Sequence, residues 1–466
     1  MLFSVNLIHS QISTSDGRNQ LDSTFINKKS IIVKLDGKTS YKDYRVISFK
    51  KDTTYIDTTL TILKEYTYNF LRKDNFELLA FHNQGQTFNN LGYDFTHQNS
   101  LPLIGMNAKH FNYLSKEDIN YYKVPTPTTE ILYRTGLQQG QVLETLFTLN
   151  FSERFNVGIF YKGLRSLGNY RRSLSSQGNF RTVFSYQTKN SRYAIRGHIA
   201  MQDLTNQENG GLTITSLDLF TNDNPNFSDR GRLDVNLEGT ETTLEGNRFY
   251  MEHDYKLFSS KNPLNNNFTN LKLGHAFTNE SKSYEFTEST LNTGFFGNAN
   301  VTSGFTERVE SKYIDNQLFL EFNSKYVLGT FRVHTGLTNY NYGYSGVLNS
   351  TINTITDPKI KGSAVSFGGN WNAVIKNFQL NTDVSITPGS GRISGSNFYT
   401  EAIYKKDSLT SFKGSISINS KSPNFNAMLY QSAYNEYNWQ NDAFKNSNTR
   451  NIAFGLQSKL INLNTS

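Results

Sequence analysis

At 466 residues the chain is long enough for two or three ordinary domains, and it carries a formal net charge of +8. Only 36% of it is hydrophobic while 14% is aromatic (35 Phe, 27 Tyr), with a mean hydropathy of −0.54. A soluble core of this size draws on roughly 45–50% apolar residues, so composition argues against ordinary globular domains.

Apolar runs near the roughly 20 residues of a membrane-spanning helix are absent, which leaves a closed sheet as the only means of crossing a bilayer. Such a barrel needs only alternate residues apolar and adds aromatic girdles at both interfaces. The chain contains no cysteine, which fits an envelope protein and equally many cytosolic ones. The basic residues are not gathered on a helix, and no nucleic-acid-binding motif accompanies them.

Leu2–Ile8 is a short apolar run followed by His9-Ser10-Gln11, so residues 1–10 read as a clipped signal peptide lacking its charged start; a frayed terminus is the alternative. Residues 11–55 are polar and read as a short periplasmic lead-in, with a hairpin of Ile31–Leu35 and Tyr44–Phe49 about Asp36-Gly37. That lead-in is too short for a plug domain, so a gated receptor for energised uptake is not expected. An outer-membrane barrel is assigned to residues 56–466. Leu60, Ile62, Tyr66, Tyr68 and Phe70 approximate a first strand, and residues 75–127 form an irregular segment of the kind that covers or plugs something.

Alternating runs then recur: Glu130–Tyr133, Gln141–Phe151, Phe155–Gly163, Phe180–Gln187, Arg192–Gln202, Arg248–Phe258 and Leu271–Phe277. They continue through Gln317–Phe322, Tyr326–Leu337, Ala364–Ile375, Phe378–Ile386, Asn397–Tyr404, Phe412–Ile418 and Phe425–Gln431. Tight turns are expected at Ser152–Arg154, Thr188–Ser191, Asn279–Lys282, Asn323–Lys325 and Lys376-Asn377, and long loops at Asp203–Arg230 and Asn341–Lys359. Short turns on one side and long loops on the other suit an outer-membrane barrel. In the cleanest strand, Phe378, Leu380, Thr382, Val384 and Ile386 alternate with Gln379, Asn381, Asp383 and Ser385, which places Asp383 in the lumen. The expected fold is all-β: a transmembrane antiparallel up-and-down barrel of roughly 16–18 strands.

Between Phe155 and Gln202 there is no acidic residue, and Arg165, Arg171, Arg172, Arg181, Arg192, Arg196 and His198 form a candidate basic lumen wall. If Gln187 faces Arg192 across the turn, Arg181, Arg192, Arg196 and His198 share one face. Such a wall biases permeation toward anions. Two alternatives stand beside it: pairing with Asp234, Glu238, Glu241, Glu245, Glu252 and Asp254, or contact with lipopolysaccharide phosphates at the rim.

The scattered histidines offer no zinc spacing, no nucleophile elbow is present, and the Asp218–Asp229 loop fits no EF-hand. No cofactor, metal site or catalytic residue is expected.

Dense ordered text covers residues 57 to about 258: Asp57-Thr58-Thr59-Leu60-Thr61-Ile62, Tyr68–Leu79, Lys109–Tyr113, Val124-Pro125-Thr126-Pro127, Arg134–Gln141, Tyr161–Gly168, Glu208–Gly211 and Arg230–Val235. This text resembles the putative porin family of Bacteroidetes outer membranes. The resemblance implies an outer-membrane barrel that passes small solutes. The chain ends Leu463-Asn464-Thr465-Ser466 without the terminal aromatic of outer-membrane barrels, so the expected barrel is incomplete at its C-terminus.

The resulting expectation is a passive-diffusion channel in the cell outer membrane for small hydrophilic solutes, anion-biased, with membrane lipid and lipopolysaccharide as partners and no nucleic acid. The runner-up is a structural or adhesive barrel that binds lipopolysaccharide or a partner through its long loops.

Overall fold

Period-two alternation governs most of the chain, and in the computed structural model it builds one large antiparallel sheet. Described are residues 39–466 except 58–60, 94–100, 137, 262–267, 346–358, 390–392, 408–409, 442, 459–462 and 466. All but Thr39 belong to one compact unit, Ser40–Ser466. The signal-peptide reading and the Ile31–Leu35 arm lie outside the described residues.

The inner segment comes first. Its short strands are β1 (Arg45–Ile47), β2 (Thr53–Tyr55), β3 (Leu78–Ala80), β4 (Phe88–Asn90) and β5 (Tyr121–Lys123). β1 pairs with both β2 and β5 in a three-stranded sheet, and β3 pairs with β4. The wall begins with β6 (Thr128–Gly136), β7 (Gly140–Ser152), β8 (Phe155–Ser166), β9 (Ser175–Gln187), β10 (Tyr193–Glu208), β11 (Thr240–Lys261), β12 (Phe268–Glu288) and β13 (Phe305–Ser324). It continues with β14 (Gly329–Ser345), β15 (Lys359–Ile375), β16 (Phe378–Thr387), β17 (Gly395–Lys405) and β18 (Thr410–Lys421). An insert then carries β19 (Leu429–Tyr430) and β20 (Trp439–Gln440), before β21 (Ser447–Ser458) and β22 (Leu463–Thr465) complete a 15-stranded sheet, each wall strand paired to its neighbour in chain order.

From β7 onward, connections alternate between short and long. One end carries the turns at 153–154, 188–192, 325–328 and 376–377; the other carries the connections at 167–174, 209–239, 289–304 and 422–446. At Lys376-Asn377 the chain reverses in two residues, with Lys376 at φ 51°, the left-handed geometry that matches strand twist.

The outward face is apolar across neighbouring strands. Ile159, Tyr161, Phe180, Ile199, Met201, Phe249, Leu273, Leu318, Leu320, Phe331, Val333, Phe367 and Ile418 are all exposed. A contiguous exposed apolar surface on this scale is stable only against lipid. On β10 it runs from Tyr193 to Met201 and gives way at Asp203, which pairs in register with Glu245 on β11. Those nine residues span about 30 Å along the strand, close to a bilayer core. Asp383 lies opposite Asn370 and accepts from Asn397 Nδ2 at 3.0 Å, on the inward face as expected.

Several expectations are corrected. The first strand expected near Thr59–Phe70 is instead a 3-10 helix at Ile62–Thr67, and the wall starts at Thr128; Phe70 is withdrawn inward, stacked on Phe88 at 5.8 Å. Asn279–Lys282 is no turn, because β12 runs straight through it. Its charges mimic a break only because Glu280 points inward to Arg248 (3.0 Å). Phe425–Gln431 is not a wall strand but a short helix, Phe425–Met428, leading into β19. Its side chains fill the interior, and Phe425 is fully buried.

Candidate functional site

The interior is packed from two directions. Ile119, Tyr121, Tyr122 and Val124 of the inner segment bury against Phe160 of β8 and Val183 of β9. Phe70 and Phe88 pack on Val142 and Leu164, and Tyr113 packs on Leu204 and Leu244. From the long-loop end, Phe425, Met428 and Leu429 join Ile104 against Val309, Tyr342, Tyr344 and Ile360. Tyr113 fits only because β11 carries Gly246 beneath it; a Cβ there collides with the Tyr113 ring.

Polar contacts fix the same segment. Arg196 on β10 stands opposite Glu252 on β11 and reaches it at 2.7 Å. Arg196 also donates to the main-chain carbonyls of Ser48 (3.2 Å) and Phe49 (2.6 Å) in the β1–β2 connection. Lys51 of that connection bridges Glu252 (2.8 Å) and Asp254 (3.3 Å). Arg332 adds a third cation at 3.7 Å from Glu252 and lies over the Phe319 ring at 3.6 Å. Glu252 is 3% exposed, and a carboxylate so buried is tolerable only when cations and donors surround it.

A second node centres on Arg248. It donates to the Leu114 carbonyl (3.0 Å), to Glu280 (3.0 Å) and, through Nε, to His198 Nε2 (3.0 Å). Because a guanidinium only donates, His198 Nε2 must accept. The ring is therefore the neutral Nδ1–H tautomer, which donates to Tyr121 Oη at 3.0 Å. Gln202 grips Leu114 like a peptide group, accepting from its N–H (2.8 Å) and donating to its carbonyl (2.9 Å). Lys162, absent from the expected wall, is buried and donates to Asn112 at 2.6 Å. Its signal was its place among the alternate polar residues of β8.

Burial pushes the Tyr121 phenol up and that of Tyr122 up to about 12, so both remain protonated. Desolvation, with Lys282 nearby, holds His110 down at about 4.

The expected basic wall divides. Arg181, Arg196 and His198 face inward, but the register is shifted by two residues: Arg181 lies opposite Ala200 and Arg196 opposite Ser185. The hinge of that register is the Thr188–Ser191 turn, closed by Ser191 N–H to Thr188 O at 2.9 Å, which leaves Arg192 in the connection and exposed. Arg181 lies over the Phe160 ring at 4.6 Å. Arg165 is on the outward side of β8 and exposed. Arg171 and Arg172 sit in the β8–β9 connection, with Arg171 paired to Asp234 and to Glu238 (2.9 Å). Of the acidic set, Glu252 and Asp254 face inward. Glu241 and Glu245 lie outward on β11, with Glu245 paired to Arg308 at 3.5 Å. Among the described residues no group of three or more His, Asp or Glu side chains could hold a metal ion.

A sequence model of the family described as "Putative porin" matches residues 40–466. The chain belongs to that family. It is an outer-membrane protein. No curated protein matches it. Among solved structures it is similar to the ferric-catecholate import receptor Fiu from E. coli K12, at 12% identity, TM-score 0.47, covering 72% of this chain and 56% of that one. It is also similar to the siderophore receptor PirA from Acinetobacter baumannii (11%, TM-score 0.45, 71% and 50%) and a ferric enterobactin receptor from Pseudomonas aeruginosa (9%, TM-score 0.45, 71% and 51%). The chain spans about half the length of these structures.

The expected passive-diffusion channel for small hydrophilic solutes is corrected, because the inward face of β7–β15 is packed against the chain's own residues. Within the irregular segment expected at residues 75–127 to cover or plug something, Ile104, Tyr113, Ile119, Tyr121, Tyr122 and Val124 pack against the wall.

Proposed function

We propose that the chain is a plugged outer-membrane barrel that acts by specific binding of a ligand or partner. The single observation that supports this is the docking of the described residues between 40 and 127 on the inward face, with Arg196 and Lys51 converging on Glu252. An unobstructed pore has no use for buried ion pairs that tether its own N-terminal segment. In this reading the 15-strand sheet closes into a barrel, the long-loop end faces outward, and the apolar band contacts membrane lipid. The motif run at residues 57–258 supports the narrower placement in Bacteroidetes outer membranes.

The binding surface is placed at the long-loop end. The β10–β11 connection carries a helix, α1 (Ile214–Thr221), that leaves Ile214 and Leu217 exposed. Arg230 and Arg232 stack over Phe220 and Phe227 beside it, at 4.3 and 5.5 Å. Cationic and apolar groups side by side suit lipopolysaccharide or a partner protein at the cell surface.

Planar-bilayer recording tests the plugged reading. The wild type is expected to be silent, and the Arg196→Gln/Lys51→Gln double variant to show openings as the plug loosens. Stepwise openings of the wild type in symmetric salt overturn it.

A further inference from the structure

At the long-loop end, where β8 gives way to the connection at 167–174, a cavity of about 300 Å³ lies between the inner segment and that connection. Among the described residues its lining contains no Lys, Arg, Asp or Glu, in a chain of which 18% is charged. The one imidazole, His82, is neutral by its bonding. Asn209 Nδ2 donates to His82 Nε2 at 3.3 Å, and the orientation of that carboxamide is fixed by its Oδ1, which accepts the Gly211 N–H at 3.0 Å. A ring nitrogen that accepts carries no proton. A charged solute entering here loses water and meets no countercharge.

Five carboxamides line the cavity, and they divide into two groups. Asn69 and Asn83 are spent on the walls. Asn69 donates to the Tyr66 carbonyl (2.9 Å) and accepts the Leu71 N–H (2.8 Å). Asn83 clasps the inner segment to the wall, donating to the Ser166 and Ser173 carbonyls (3.1 and 2.7 Å) and accepting from Ser166 Oγ (2.8 Å). Gly168, at φ 75°, admits that clasp, since a Cβ there falls 2.9 Å from the Asn83 side chain. The other three, Asn75, Gln84 and Asn169, have side chains without a hydrogen-bond partner among the described residues. Beside them lie the rings of Phe70 and Phe88, stacked at 5.8 Å, and the exposed Phe81.

We infer that this cavity binds a neutral sugar, a mono- or disaccharide. Each free carboxamide offers a donor and an acceptor side by side, which matches neighbouring hydroxyls that each donate and accept. The apolar face of a sugar ring fits the phenylalanines, and a few polar groups set among aromatic surface are the usual make-up of a small-molecule site. Asn69 and Asn83 hold the walls in place before the ligand arrives, which lowers the cost of binding. The lining comes from the inner segment and the β8–β9 connection and not from the apolar outward face, so the ligand arrives from solution. The site rests on the plugged reading, because the inner segment forms most of its lining.

Titration calorimetry on the full chain in detergent tests it. The probes are glucose, galactose, mannose, maltose and lactose, with the amino-sugar and uronic-acid derivatives of each hexose as charged controls. At least one neutral sugar is expected to bind, at least tenfold more tightly than the charged derivatives. Gln84→Ala/Asn169→Ala, which removes no internal hydrogen bond, is expected to weaken it at least tenfold, and Phe81→Ala likewise. Arg154→Gln, at the opposite end of the wall, is expected to leave it unchanged. Binding of none of the five sugars, equal binding of the charged derivatives, or wild-type binding by the Gln84/Asn169 and Phe81 variants overturns the site. Protease protection of residues 40–127 is measured on the same samples: a protected protein that does not bind defeats the site alone, whereas an unprotected wild type defeats the plugged reading.

Discussion

Arg196 and Glu252 face each other across β10 and β11 with 2.7 Å between Nη2 and Oε2, and the same guanidinium holds the Ser48 and Phe49 carbonyls of the inner segment. One cross-strand pair thus ties β10 to β11 and anchors the inner segment. Tyr250 donates to Glu252 at 2.8 Å as well, so every change at this carboxylate is felt in several directions.

Glu252→Ala leaves Arg196, Lys51 and Arg332 facing an uncompensated void. Breaking a buried pair from one side costs about 3–5 kcal/mol. A lowered unfolding midpoint in detergent and faster protease cleavage within residues 40–56 are the expected readings. An unchanged cleavage rate contradicts the anchoring role.

His110 gives the inner segment an acid sensitivity. Its folded value, about 4, lies below the ordinary 6.5, chiefly through desolvation. The unfolded state therefore binds more protons between these values, and stability rises with pH there. The contribution is complete above about pH 6.5 and is lost as pH falls through about 4. Protection factors over Met106–Leu114, corrected for the intrinsic exchange rate, are expected to fall as pH drops across that window in the wild type and to lose this pH dependence in His110→Gln.

The insert at 422–446 is held by Phe425, which stacks on Tyr342 at 5.1 Å, and by the Tyr342 hydroxyl donating to the Leu429 carbonyl at 3.2 Å. Phe425→Ala is expected to cost about 3–5 kcal/mol. The cost should appear as faster exchange in β19 and at the amide of residue 425, whose N–H donates to the Leu103 carbonyl, while the exchange of β8–β10 stays unchanged.

Leu318 is 55% exposed on the outward side of β13. Leu318→Arg is expected to destabilise the protein in bilayers by about 2–4 kcal/mol. Glu310→Gln, on the same side beyond the apolar stretch, is expected to be near neutral. Equal effects at the two positions contradict the lipid-facing assignment.

What was legible in the sequence was local. Alternation in Phe378–Ile386 fixed which side chains share a face, and Asp383 turned inward as that period requires. Turn chemistry placed the reversals at Thr188–Ser191 and Lys376-Asn377, and the ordered motifs marked the family. The same local rules misread Asn279–Lys282 and Phe425–Gln431, since a charged tetrapeptide inside a strand and an apolar run inside an insert carry the same local signature as a turn and a strand.

Only the tertiary structure decided what the inward face meets. Arg181, Arg196 and His198 could line water or protein with identical sequence patterns. Arg181 meets Phe160 on the adjacent strand, but the partners of Arg196 and His198, Phe49 and Tyr121, lie far from them in the chain. Periodicity specifies the direction of a side chain but not the distant neighbour it meets; long-range packing of the described inner residues against the inward face of the sheet supplied that neighbour.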